Sequence, residues 1–276
     1  MSKSMSKTIL ITGSTDGLGL ATAKMLLSLG HNILLHGRNP EKLQKVQTEL
    51  TGSAKGQILD NYVADLSRMD DVTALADAVI EKQTTLDVLI NNAGVFNVPK
   101  PITQDGLDIR FVVNTFAPYL LTQRLLALLG PNGRVVNLSS AAQAPVDLEV
   151  LAGRRQLSDD FSVYAQSKLA LTMWSRSMAQ SLDTEGLAII AVNPGSLLAT
   201  NMVRDAFKVA GNDISMGAEI LTRAALSDEF ASASGQYFDN DSGSFAPPHQ
   251  DALDTKKVEK IVQAIEGVLT QLIPSR

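Results

Sequence analysis

The sequence contains no cysteine. Disulfides, thiolate zinc sites and a cysteine nucleophile are therefore excluded. It also lacks an excess of positive charge: 24 Lys and Arg stand against 29 Asp and Glu, a formal net charge of −5. Nothing in bulk draws such a chain to nucleic acid or to an anionic membrane. No apolar run approaches the roughly 18 residues of a membrane span. The basic start, MSKSMSKTILITG, has only Ile9, Leu10 and Ile11 before a glycine turn, too short for a signal-peptide core, and both Met1 and Met5 offer a start. Low-complexity linkers and short internal repeats are missing as well. His31, His36 and His249 have no metal-ligand spacing and read as surface or turn residues, so no metal is expected. What is present is 45% hydrophobic and 19% charged residues over 276 positions, enough for one large core and one domain spanning residues 1–276. These readings predict a soluble, cytoplasmic protein.

The apolar residues fall into a rhythm. Short runs apolar on both faces (residues 9–11, 33–35, 62–64, 86–90, 135–138 and 188–192) alternate with helical stretches at 18–29, 41–50, 70–81 and 104–129. Residues 236–238 offer a short seventh strand, and 256–272 a closing amphipathic helix stopped near Pro274. Strands buried on both faces and separated by helices predict a doubly wound α/β fold, its mostly parallel sheet of about seven strands carrying helices on both sides. Two stretches break the rhythm: 141–162 is polar and irregular, and 239–253 reads as loop.

The first strand runs into TGSTDGLG, residues 12–19, and then a helix. Glycines at this turn let backbone approach a pyrophosphate, and the helix N-terminus offers free N–H groups and a favourable dipole. Asn91-Asn92-Ala93-Gly94 follows the fourth strand, and Asn114 lies in the long fourth helix. Ser139-Ser140 ends the fifth strand, YAQSK (164–168) opens the next helix, and Pro194-Gly195 ends the sixth strand.

In type, order and position these motifs, over residues 8–200, resemble the short-chain dehydrogenase/reductase family, single-domain branch, whose fold is Rossmann-type. The resemblance implies an oxidoreductase that passes hydride between a nicotinamide cofactor and a carbonyl or alcohol. It implies that Thr12, Gly13, Ser14, Thr15, Asp16, Gly17, Leu18 and Gly19 hold the cofactor. Arg38, Asn39, Asp65, Leu66, Asn92, Ala93, Gly94, Tyr164, Lys168, Pro194, Gly195 and Thr200 join them. Leu197 or Leu198 would pack on the nicotinamide ring. Tyr164, Lys168, Ser140 and Asn114 form the implied catalytic group, with Ser139 the fallback for Ser140 and Asn114 in a water-mediated relay with Lys168.

The residues support that chemistry. Tyr164 and Lys168 share a helix face. A free tyrosine, with a pKa of about 10, is no base near neutrality. A neighbouring ammonium, or an oxidised nicotinamide, favours the phenolate, so the tyrosine can give or take the reaction's proton. After the second strand, where an acid would accept from the ribose 2′-OH, the chain has Gly37 and then Arg38. That favours NADP(H), although Asp16 stands where some NADP-preferring relatives carry a base.

Two departures concern the substrate side. Ser140 and Tyr164 are 24 positions apart, wider than the family's usual spacing. The added segment resembles an insertion in retinol-dehydrogenase-like members. Residues 193–202, NPGSLLATNM, hold one residue more than the family norm before Thr200. Residues 141–163 and 196–215 are expected to build the substrate pocket. Trp174 and its helix neighbours read as sheet or subunit packing. The resemblance implies a homodimer or homotetramer paired through the fourth and fifth helices, a surface the insertion is placed to block. The alternatives are an NAD-dependent dehydrogenase of a hydrophobic alcohol and a non-catalytic NADP-sensing regulator.

Overall fold

A computed structural model describes residues 6–51, 55–182 and 186–273; Met1, Met5 and Pro274 lie outside them. The elements run β1 (Thr8–Ile11), α1 (Gly17–Ser28), β2 (Asn32–Gly37), α2 (Pro40–Leu50), β3 (Ile58–Val63), α3 (Met69–Lys82) and β4 (Val88–Asn91). Then come a helical turn α4 (Ile109–Phe111), a π-helical turn (Val112–Phe116) and α5 (Ala117–Leu129), in one continuous helix. β5 (Arg134–Leu138), α6 (Leu148–Leu151), α7 (Asp160–Ser181), β6 (Ala188–Asn193), α8 (Asn201–Phe207), α9 (Ile214–Leu226) and α10 (Asp228–Ala231) follow. The chain closes with β7 (Tyr237–Asp239), β8 (Ser244–Ala246), a 3₁₀ turn (Gln250–Leu253) and α11 (Thr255–Leu272).

Eight strands form one sheet in the order β3-β2-β1-β4-β5-β6-β7-β8. All neighbours are parallel except the β7–β8 hairpin. Successive strand side chains point to opposite faces, and both faces are buried. Leu10, Leu34, Leu89 and Val135 join α3, α5, α7 and α11 in one core. Ile9, Ile11, Ile33, Val88 and Ile90 join α1, α2 and α9 in the other. This is why the strands read as unbroken apolar runs.

Four expectations change. The long fourth helix begins at Ile109, not near 104, because Gly106 turns with φ 79° and Asp108 caps the start, accepting from the Arg110 N–H. β3 begins at Ile58; it is an edge strand whose Leu59 and Val63 face out, which hid its period. The stretch 239–253 contains β8, too short to show a period and turned by Gly243 at φ 69°. Helices α8 and α9 follow β6, where the sequence pattern assigned no element.

The insertion between Ser140 and Tyr164 is mostly a cover. Asp147 caps α6, accepting from Glu149 N–H at 2.9 Å, and Val150 and Leu151 are buried in the core that α11 shares. Only Ala141, Ala142 and Phe161 of residues 141–163 reach the main cavity, apart from the shared wall of α7 that follows. Trp174 is fully buried with Tyr119 edge-on at 5.4 Å, and Tyr119 Oη donates to Glu266 of α11 at 2.7 Å. Helix α11 thus packs on α7 and bonds to α5 through this pair. Ile109–Leu129 is by itself long and apolar enough to cross a membrane, and 72% of that apolar window is buried inside the fold.

Candidate active site

A cavity of about 810 Å³ opens at the carboxyl ends of the strands. There β1 and β4 are neighbours, and the helices that follow them leave to opposite faces, which opens a crevice between the two loops.

One end of the cavity is the glycine loop. Gly13 (φ 65°) and Gly17 (φ 50°) use left-handed backbone, and a Cβ on Gly19 would overlap the Gly13 carbonyl. Thr12 Oγ1 accepts from the N–H groups of Asn92 and Ala93 at 3.0 and 3.1 Å. Asn92 Nδ2 donates back to the Thr12 and Gly13 carbonyls at 2.8 and 3.1 Å. Ser14 Oγ accepts from His36 N–H at 2.9 Å and donates to its carbonyl at 3.2 Å. Thr12 and Ser14 therefore brace the cradle from behind and do not line it, contrary to expectation. Thr15, Asp16, Gly17, Leu18, Asp65, Leu66, Ala93 and Gly94 do line it.

His36 is the residue the sequence reading missed. It is buried at the end of β2, not at the surface, and its Nδ1 accepts the Gly13 N–H at 3.0 Å. Burial holds its pKa down to about 4 from the usual 6.5, with the Asp65 charge opposing. Only the neutral ring can accept that bond. His31 is buried too, and its Nδ1 accepts from Lys7 N–H at 3.2 Å. His249 Nδ1 accepts from Asp251 N–H at 3.2 Å. No acid–histidine cluster fit for a metal occurs among the described residues.

Because the folded pKa of His36 lies below the unfolded value, stability is complete above about pH 6.5 and is lost as pH falls toward 4. The full shift is worth about 3 kcal/mol. Thermal melts between pH 7 and 4.5 should fall more steeply in the parent than in His36→Asn, whose amide oxygen can still accept from Gly13. Parallel slopes would remove His36 as the cause.

Beyond β2, a Cβ on Gly37 would lie 2.6 Å from Thr15 Cγ2. An acid at position 37 has no room unless Thr15 moves. Arg38 follows, exposed and lining the cavity, with Lys42 from α2 beside it. Asn39, expected on the cofactor, instead caps α2, accepting from Lys42 N–H at 2.8 Å. Asp16 caps α1 through Gly17 N–H at 2.7 Å and accepts from Lys42 Nζ at 2.6 Å and Asn201 Nδ2 at 3.0 Å. The Lys42 bond holds its carboxyl below the usual range, although burial opposes. The acid that argued against a phosphate is thus already paired. Asp65 accepts from Ser67 N–H and O–H at 3.0 and 2.8 Å, closing a turn rather than capping α3, which begins at Met69.

The other end of the cavity gathers Ser140, Tyr164 and Lys168. Tyr164 and Lys168 stand one turn apart on α7, with Lys168 Nζ 5.7 Å from the Tyr164 ring centre. Lys168 is buried, donates to the Leu138 carbonyl at 2.7 Å, and is pulled down to about 8 by burial. Burial pushes the Tyr164 phenol above its usual value, while its hydrogen bond with Ser140 works the other way. Ser139 Oγ bonds Thr172 Oγ1 at 2.7 Å, while Ser140 Oγ accepts from Ala142 N–H at 3.1 Å.

Asn114 does not line the cavity. It sits in the π-helical turn, where the wider turn re-aims its side chain. Oδ1 accepts from Val95 N–H at 2.8 Å, and Nδ2 donates to the Val95 carbonyl and Ser167 Oγ at 2.9 and 3.0 Å. Gly94 keeps open the gap between Asn114 and Lys168: a Cβ there would lie 3.3 Å from Asn114 Oδ1 and 3.6 Å from Lys168 Nζ. Phe96, at 4.8 Å from the Tyr164 ring, and Phe161 form an aromatic wall, continued by Ile109, Val113 and Met202. Thr200 caps α8, accepting from Val203 N–H at 3.3 Å, and lines the cavity with Pro194 and Gly195. Leu198 is buried in the core, while Leu197, at φ 54°, stays exposed on the cavity wall.

This geometry is matched by relatives. The short chain dehydrogenase family profile matches residues 7–211, and the chain belongs to that family of oxidoreductases, which use a nicotinamide cofactor. Retinol dehydrogenase 13 of Homo sapiens is 30% identical over 251 residues, covering 84% of this chain and 76% of its own. Polyprenol dehydrogenase of Homo sapiens is 34% identical over 196 residues, 67% of this chain and 59% of its own. An uncharacterised Mycobacterium paratuberculosis protein superposes with a TM-score of 0.74 at 27% identity, covering 96% and 92% of the two chains. A Burkholderia cenocepacia short chain dehydrogenase solved in complex with NADP gives 0.67 at 26% identity, covering 84% and 95%.

Proposed function

We propose that this chain is an NADP-dependent reductase and dehydrogenase of apolar carbonyl compounds and their alcohols, with Tyr164 as general acid and base. One observation carries the reading: a single cavity joins the glycine cradle and the cations Arg38 and Lys42 at one end to Ser140, Tyr164 and Lys168 at the other.

The residues fit a dinucleotide. The α1 N-terminus and glycine loop suit a pyrophosphate. Arg38 and Lys42 suit a ribose 2′-phosphate. Gly37 stands where an acid would accept a 2′-OH, and a side chain there would crowd Thr15. When bound, the nicotinamide supplies or takes up hydride. Ser140 would hold the substrate oxygen against Tyr164, whose protonated phenol can give its proton to a developing alkoxide. Lys168, anchored on the Leu138 carbonyl, sets the field at that phenol. Asn114 and Gly94 leave a gap beside Lys168 through which the proton can be replaced. The walls of Phe96, Phe161, Ile109, Val113 and Met202 favour an apolar substrate body. NADP complexes among the structural relatives, and relatives named for retinol and polyprenol, support the same choice.

The test is NADPH and NADH titration, then a panel of straight-chain, aromatic and isoprenoid aldehydes and ketones. NADPH-dependent reduction is expected. Binding without turnover would instead support the regulatory reading. Arg38→Ala should weaken NADPH roughly 10- to 150-fold, the worth of a hydrogen bond to a charged group, and leave NADH nearly unchanged. Raised salt should weaken NADPH selectively. If the parent binds both cofactors equally, Arg38 is only a turn residue. An NADH-directed variant carrying Gly37→Asp needs Thr15 made smaller at the same time.

A further inference from the structure

The β7–β8 hairpin lies outside the residues 7–211 matched by the family profile, yet it grips both walls around Ser140. Tyr237 Oη donates to the Ser140 carbonyl at 3.1 Å, and Gln143 Nε2 donates to the same oxygen at 3.0 Å. Both acceptor sites of that carbonyl are therefore filled. Gln143 Oε1 in turn accepts from His249 N–H at 3.3 Å. The hairpin turn holds the opposite wall. Asp241 accepts from Ser196 N–H at 2.8 Å, Asn193 Nδ2 donates to both Asp239 and Asp241 at 2.8 and 2.9 Å, and Asn240 Nδ2 donates to the Pro194 carbonyl at 2.9 Å.

We propose that Tyr237, with Gln143, is a positioning residue that locks the Ser140 peptide and so holds the Ser140 hydroxyl in place in the cavity it lines with Tyr164. Ser140 follows a strand end, where the next peptides are no longer held by the sheet ladder. Its hydroxyl otherwise accepts only from Ala142 N–H, at 3.1 Å, among the hydrogen bonds of the described residues. A carbonyl held by two donors resists rotation, and the side chain on the same residue inherits that restraint. The inference rests on the reading of Ser140 and Tyr164 given above.

Tyr237→Phe keeps the ring and removes only the donor. With NADPH and the panel carbonyl turned over fastest, kcat should fall about 5- to 30-fold, the loss of one hydrogen bond expressed in the transition state. NADPH affinity, read by cofactor fluorescence, should stay within about twofold, since no group proposed to touch the cofactor is altered. The alkaline limb of the pH–rate profile should move to higher pH, because the Ser140 bond that lowers the Tyr164 pKa is loosened. A merely structural role would lower the melting temperature without moving that limb or separating kcat from cofactor affinity. Gln143→Leu should give a smaller loss of the same kind, and it decides alone if Tyr237→Phe does not fold. Parental kcat with an unmoved limb overturns the proposal, as does a loss of NADPH affinity in step with kcat. Tyr164→Phe measured alongside separates the two readings. If it keeps parental turnover, the acid–base assignment falls; if it is inactive while Tyr237→Phe is parental, only the positioning role falls.

Discussion

Tyr164→Phe is expected to lower turnover by at least about a hundredfold while NADPH binds almost as in the parent, because a general acid contributes 10²- to 10⁴-fold to the chemical step alone. The substitution is conservative in packing. The Phe96 ring lies 4.8 Å away and would meet a phenyl group as it meets the phenol. What disappears is the phenol proposed as the proton donor, whose pKa burial raises. Single-turnover reduction with NADPH isolates the step. A variant retaining more than about a tenth of parental activity would remove Tyr164 from the mechanism.

Arg110→Met should destabilise the fold by about 3–5 kcal/mol, the cost of leaving a buried carboxylate without its partner. The Arg110 side chain is completely buried. Its Nε and Nη2 donate to the two oxygens of Asp108 at 2.8 and 2.6 Å, and Nη1 pairs with Asp160. Asp160 opens α7, one turn before Tyr164, while Arg110 opens the helix that carries Asn114. The pair therefore joins the starts of both helices that furnish the proposed proton machinery. At roughly 2–4 °C per kcal/mol the melting temperature should fall about 6–20 °C. Removing the stranded acid as well, in Asp108→Asn with Arg110→Met, should recover part of the loss, since the charge left behind carries most of the cost. A melting temperature within about 2 °C of the parent would show that the pair contributes nothing.

Strand–helix alternation, the glycine loop, and Tyr164 with Lys168 on one helix face are legible in the residues alone. These are local properties. Period 2 against period 3.6, a turn rich in glycine and a spacing of four within one helix act within a few residues of the chain. Local signals failed where the elements are short or the pattern is mixed. β8 has three residues, edge strand β3 turns Leu59 and Val63 outward, and α8 and α9 follow an irregular loop.

The partners of each polar group come from the packing of distant segments. Ser139 and Ser140 are neighbours in sequence and both line the cavity, but Thr172 of α7 bonds the Ser139 hydroxyl alone. Thr12, Ser14, Asn39 and Asn114 have the residue types expected of cofactor or relay contacts. In the fold their side chains bond Asn92, His36, Lys42 and Val95, and none of the four lines the cavity. His36 carries no pattern in sequence and acquires its role only when the β2 end meets Gly13. Tyr237 reaches Ser140 across 97 residues. Such bonds depend on which strand ends the sheet order brings together. A hydrogen bond is fixed by distance and direction in space, and nothing in the local sequence encodes either for residues so far apart.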